Sequence, residues 1–130
     1  MKISHIEQVF FVADLTRCRD FYKSLFQIEP VTDVPGMVEF ELAPNFKLGL
    51  MPLEGISRLL GAGLISHGKE GVPPRSELYL RVEDPHEMFS MAVSLGAKVL
   101  SPVRQRNWGD IAGYVADIEG NILVFAKQIS

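Results

Sequence analysis

A chain of 130 residues, 47% hydrophobic and 22% charged, has the composition of one globular domain and excludes a disordered or fibrous chain. Its net charge of -3 offers no basic surface for nucleic acid or an anionic membrane, so neither is expected as a partner. A single cysteine, Cys18, rules out an internal disulfide; with no signal-peptide pattern and no bilayer-length apolar run, a cytoplasmic location is expected.

In chain order, the first predicted element is a strand in IEQVFFVAD, residues 6–14, followed by an amphipathic helix in LTRCRDFYKSLF. Leu15, Cys18, Phe21, Tyr22 and Leu25 recur at helical spacing, and Asp14 is placed to cap the helix N-terminus. Phe26-Gln27 ends that helix without the glycine of a left-handed cap, so either Gln27 adopts that conformation itself or the helix exit differs. Strand-like runs follow at about 29–34, 37–42 and 46–51, separated by Pro35-Gly36 and Pro44-Asn45.

Residues 53–76 hold five glycines and Pro73-Pro74 and read as a linker or lid, with room for a short helical turn in SRLLGAGLIS. The pattern then repeats. SELYLRVED, residues 76–84, matches residues 6–14 in carrying a glutamate seven residues before an aspartate: Glu7 and Asp14, then Glu77 and Asp84. A second helix in PHEMFSMAVSLG has Asp84 as cap and Pro85 at its first position, with Met88, Met91, Ala92 and Leu95 at helical spacing. Strands at 97–101, 111–116 and 122–127 follow, the last two joined by a turn over Asp117 to Gly120.

The prediction is an α+β fold of two βαβββ modules in tandem, with mixed sheets curling around a central cavity. Module one covers about 1–52, the linker about 53–76 and module two about 77–130. Strand alternation puts Glu77, Tyr79 and Arg81 on one face and Leu78, Leu80 and Val82 on the other, beneath the helix. The same register turns Glu7, Val9 and Phe11, then Lys47, Gly49 and Met51, then Ile122, Val124 and Ala126, to the cavity face. A mixed aromatic, aliphatic and charged lining of that kind suits a mid-sized, partly apolar organic molecule. Trp108, the one tryptophan, reads either as a core anchor or as a flat wall for a planar ligand. Arg104 and Arg106 flank it as solvated cations, or as groups steering an anion or lying on the indole.

VADLTRCRDFYKSLF, LYLRVEDPHEMFSMAVSLGAKVLSP and WGDIAGYVADIEGNILVFA together resemble the vicinal oxygen chelate superfamily, which includes glyoxalase, bleomycin-resistance and dioxygenase proteins. Ile118 stands where the family's final turn commonly has proline. The resemblance implies four metal-ligand positions: Glu7, a residue at or next to Gly49, Glu77 and Val124. Gly49 and Val124 have no donor side chain. No cofactor is therefore expected, with Glu7 and Glu77 as the pair that would hold Mg²⁺ or Mn²⁺ if a divalent ion binds. Otherwise they read as carboxylates paired with Arg81 or with a cationic ligand, or as an acid/base pair. His5 falls at or before the strand start, and His67 and His86 read as solvated.

The resulting expectation is a metal-free small-molecule binder of the resistance or sequestration type, forming a homodimer. Its ligand residues are Glu7, Phe11, Met51, Glu77, Tyr79, Arg81 and Trp108. The alternatives are a metal-dependent lyase, isomerase, thiol transferase or dioxygenase of the same superfamily, and an interaction module with a vestigial pocket.

Overall fold

The computed structural model describes residues 1–61 and 74–129. The chain divides into two compact units, Met1–Lys69 and Glu70–Ser130. Among the described residues the first unit runs β1 (Ile6–Val12), α1 (Leu15–Phe26), β2 (Thr32–Val34), β3 (Met37–Ala43), β4 (Phe46–Pro52) and α2 (Leu53–Leu60). The second runs β5 (Leu78–Arg81), α3 (Pro85–Ser94), β6 (Lys98–Gln105), β7 (Asp110–Ala116) and β8 (Ile122–Gln128). Each unit carries a four-stranded mixed sheet, ordered β1-β4-β3-β2 in the first and β5-β8-β7-β6 in the second. The first strand of each unit pairs in parallel with the last, and the other pairings are antiparallel. The α+β class and the tandem βαβββ order are as the sequence predicts.

Local chemistry accounts for these elements. Asp14 accepts a hydrogen bond from the Arg17 backbone N–H at 3.0 Å, and Asp84 accepts one from Glu87 at 3.1 Å, so both aspartates cap as expected. Gln27 takes the left-handed cap at φ 55° and ψ 42°. α1 buries Cys18, Phe21, Tyr22 and Leu25, and Tyr22 stacks on Phe26, meets Phe21 edge-on and reaches Phe10 of β1. Phe10, Val12, Val38, Phe40, Leu48 and Leu50 are buried on that helix-covered side of the first sheet. In the second unit α3 packs on β7, with Phe89 so close to Gly113 that a Cβ there would lie 2.7 Å from its ring.

Two differences matter. Residues 53–60, read as the start of a linker, form α2, whose Ile56 is buried and whose Glu54 and Arg58 pair at 3.2 Å one turn apart. β5 is shorter than its sequence run, so Glu77 precedes the strand and is exposed. The linker from 62 to 73, with His67, lies outside the described residues.

Candidate functional site

In the first unit the pairing register joins Glu7 to Lys47, Val9 to Gly49 and Phe11 to Met51, confirming that these six share one face of the sheet. The opposite neighbour of Gly49 is Glu39 on β3, and Thr32 on β2 stands beside Glu39. Gly49 therefore forms a backbone floor between two carboxyl groups. A Cβ on it would strike Glu7 Oε2 and would lie 3.0 Å from Met37 Cε. Only glycine lets the Glu7 carboxyl settle there.

Glu7 Oε2 is buried, and among the described residues no donor reaches it. A proton held between the two carboxyls meets that need. Burial, then the hydrogen bond to Glu39 and the charge of Glu39, push Glu7 up to about 7, against the opposing charge of Lys47. Glu39 moves the other way, held down by hydrogen bonds with Glu7 and Thr32. The pair therefore shares one proton at mildly acidic pH and gives it up around neutrality. His5 lies outside β1 and exposed, near enough for its charge to favour ionised Glu39.

In the second unit Tyr79 and Arg81 of β5 share a face with Asp110, Ala112 and Tyr114 of β7 and with Val124 and Ala126 of β8, as the register fixes. Asp110 is 1% exposed. It accepts the Tyr79 hydroxyl at 2.5 Å, and Arg81 Nε and Nη2 at 3.2 and 3.3 Å. The Tyr79 bond and then the Arg81 guanidinium hold the Asp110 carboxyl below its ordinary value. Burial and the bond to Asp110 push the Tyr79 phenol up, so Tyr79 keeps its proton and acts as donor. The Trp108 indole N–H donates in turn to the Tyr79 oxygen at 2.9 Å.

Trp108 lies in the turn before β7 and is 53% exposed, so it is not a core anchor. Its one donor is nonetheless engaged, and the ring is fixed while its surface remains open. Arg106 is engaged within the second unit, on Tyr114 and not on the indole. It sits over the Tyr114 ring at 5.1 Å and donates to Ala112 O, Ser101 Oγ and Pro102 O, pinning the irregular stretch of β6 to β7. Glu77 is exposed, and its charge adds to burial in raising the Tyr114 phenol.

Of the predicted site residues, Glu7, Phe11 and Met51 come together on the first sheet, and Tyr79, Arg81 and Trp108 form one bonded network on the second unit. The partner foreseen for Arg81 was a glutamate; it is Asp110. Asp110 and Glu39 were both missed: Asp110 lies just before the strand expected at 111–116, and the run 37–42 that holds Glu39 gave no face assignment. The open cleft of about 460 Å³ at the C-terminal end of α1, lined by Asp20, Lys23, Ser24, Gln27, Ile28 and Glu29, contains none of these residues.

The metal positions implied by the resemblance can be tested unit by unit. Gly49 has no side chain, and the space its Cβ would take holds Glu7 Oε2. Val124 is fully buried in an apolar cluster with Ala112 and Ala126. A catalytic divalent ion generally takes three protein ligands. The four positions supply only two donor side chains, Glu7 and Glu77, one short of that set. They do not fit such an ion.

The fold of these units matches that of solved proteins described as glyoxalase-related or as glyoxalase/bleomycin resistance protein/dioxygenase family members. Among solved structures, a glyoxalase-related enzyme from Fulvimarina pelagi is 22% identical, with a TM-score of 0.78 over 94% of this chain and 86% of that one. A glyoxalase/bleomycin resistance protein/dioxygenase family enzyme from Burkholderia phytofirmans PsJN is 14% identical, with a TM-score of 0.78 over 97% and 98%. A glyoxalase/bleomycin resistance protein/dioxygenase from Nocardioides is 15% identical, with a TM-score of 0.73 over 100% and 86%. No protein-family model matches the chain, and no curated protein matches it. No helix among the described residues is long and apolar enough to cross a membrane.

Proposed function

We propose that this chain is a small-molecule-binding protein that works without a resident metal, in the manner of resistance or sequestration proteins. The observation that carries the metal-free part is the Glu7–Glu39 pair over Gly49. The place that a ligand side chain at position 49 would take is filled by the Glu7 carboxyl itself, turned toward Glu39, which supports a site that does without a divalent ion. The binding part rests on the second unit, where a buried carboxylate holds Tyr79 and Arg81 and, through Tyr79, a half-exposed indole. Ordering a surface tryptophan in this way favours stacking on a flat ligand, because the ring loses little further freedom on binding.

Trp108 is the sole tryptophan, so its emission reports on this surface alone. The proposal predicts that some planar, partly apolar compounds in a broad panel change that emission saturably, with excess chelator present throughout. If a full panel leaves the emission unchanged and a label-free binding assay also finds nothing, the binding reading is wrong. The pairing of two chains into a homodimer is part of the same proposal, and sedimentation of the purified protein tests it.

A further inference from the structure

Building on the small-molecule reading above, we infer that Arg81 and Trp108 select ligands bearing a carboxylate on a planar ring, with Tyr79 and Asp110 as their fixed support. The network leaves only certain groups to offer. The Trp108 N–H is spent on Tyr79, and the Tyr79 proton is spent on Asp110. Asp110, buried behind the network, accepts from Tyr79 and from two nitrogens of Arg81.

What remains is the π-face of a held indole and the outer part of a held guanidinium. Arg81 is 59% exposed along its side chain, and its Nη1 has no hydrogen-bond partner among the described residues. A guanidinium fixed by a carboxylate on one edge presents its other N–H groups in a set plane, which matches a planar oxyanion. The second cation near this surface does not compete for that role, because Arg106 is committed to Ser101, Pro102 and Ala112. Three hydrogen bonds in series link Arg81 to Trp108, which brings the cation and the ring within reach of one small aromatic acid.

The test compares 2-naphthoate with 2-naphthamide, which has the same ring and shape without the charge. Binding is followed at the indole N–H resonance of Trp108, the one such resonance in the protein. The acid is expected to shift it saturably and to bind about tenfold more tightly than the amide, as a charge-assisted contact in a half-exposed site implies. Arg81→Met lowers the acid to the level of the amide; Arg81→Lys, which keeps the charge but loses the fork, retains part of the preference. Should Arg81→Met fail to fold, raising the salt concentration on the unaltered protein weakens the acid and spares the amide. Equal affinity for acid and amide overturns the carboxylate inference and leaves the small-molecule reading standing. No resonance shift with either probe or with the wider panel overturns both.

Discussion

The indole N–H of Trp108 donates to the Tyr79 hydroxyl, which donates to Asp110, so a buried carboxylate fixes a half-exposed ring through a single phenol. Tyr79→Phe removes both bonds while keeping the ring volume. The expected cost is about 1–2 kcal/mol, that of a buried acceptor losing one of its donors. Trp108 should also become mobile, read as lower fluorescence anisotropy in the folded protein. An unchanged anisotropy would mean that the ring is held by something other than Tyr79.

Asp110→Asn removes the charge that anchors Arg81 and the strong acceptor of Tyr79. Thermal unfolding should move to lower temperature, and the aryl acid should bind more weakly, although Asp110 itself touches no ligand. A variant with lowered stability but undiminished preference for acid over amide would show that Arg81 orients itself.

Gly49→Ala tests the floor beneath Glu7. The new methyl would occupy the place of Glu7 Oε2, and Met37 offers only a flexible end to push aside. The carboxyl must leave its pair with Glu39, at a cost of roughly 1–3 kcal/mol for overpacking. Its titration, followed by carboxyl NMR, should fall back toward the ordinary glutamate range. Gly113→Ala, which meets Val103 at 2.5 Å and the Phe89 ring at 2.7 Å, should cost a similar or larger amount without altering any carboxyl titration.

The proton shared by Glu7 and Glu39 makes stability depend on pH with a definite sign. Glu7 binds its proton more tightly folded than unfolded, so its contribution is fully present below the unfolded value of 4.5 and is lost as pH rises through about 7. Glu39, held down in the fold, contributes above its unfolded value and loses that contribution at lower pH. Unfolding free energy should therefore decline between about pH 5 and pH 7, by on the order of 1–2 kcal/mol after allowing for solvent screening. Glu7→Gln, which keeps a donor for Glu39, should flatten that decline. The same slope in the variant would place the responsible group elsewhere.

Much of this was legible because repetition and alternation are local. The glutamate-to-aspartate spacing repeated in residues 7–14 and 77–84 placed both helix caps, and strand parity placed Glu7 beside Lys47 and Tyr79 beside Arg81 on their faces. The partners were not legible, because they depend on inter-strand register. Glu39 faces Gly49 only once β3 is paired with β4, and Asp110 meets Arg81 only after β7 and β5 are both aligned on β8. Asp110 also lies one residue before the strand expected at 111–116, and Glu39 lies in the run 37–42, to which no face was assigned. The reading of Trp108 stayed double for the same reason, since its exposure is decided by the turn before β7 and not by its neighbours in sequence.

The most direct test is the divalent metal content of protein purified without chelator, by elemental mass spectrometry. Glycine at position 49, its side-chain space filled by the Glu7 carboxyl, and valine at position 124 predict far less than one equivalent of any divalent ion per chain. About one equivalent per chain, lost on Glu7→Gln or Glu77→Gln, would contradict it.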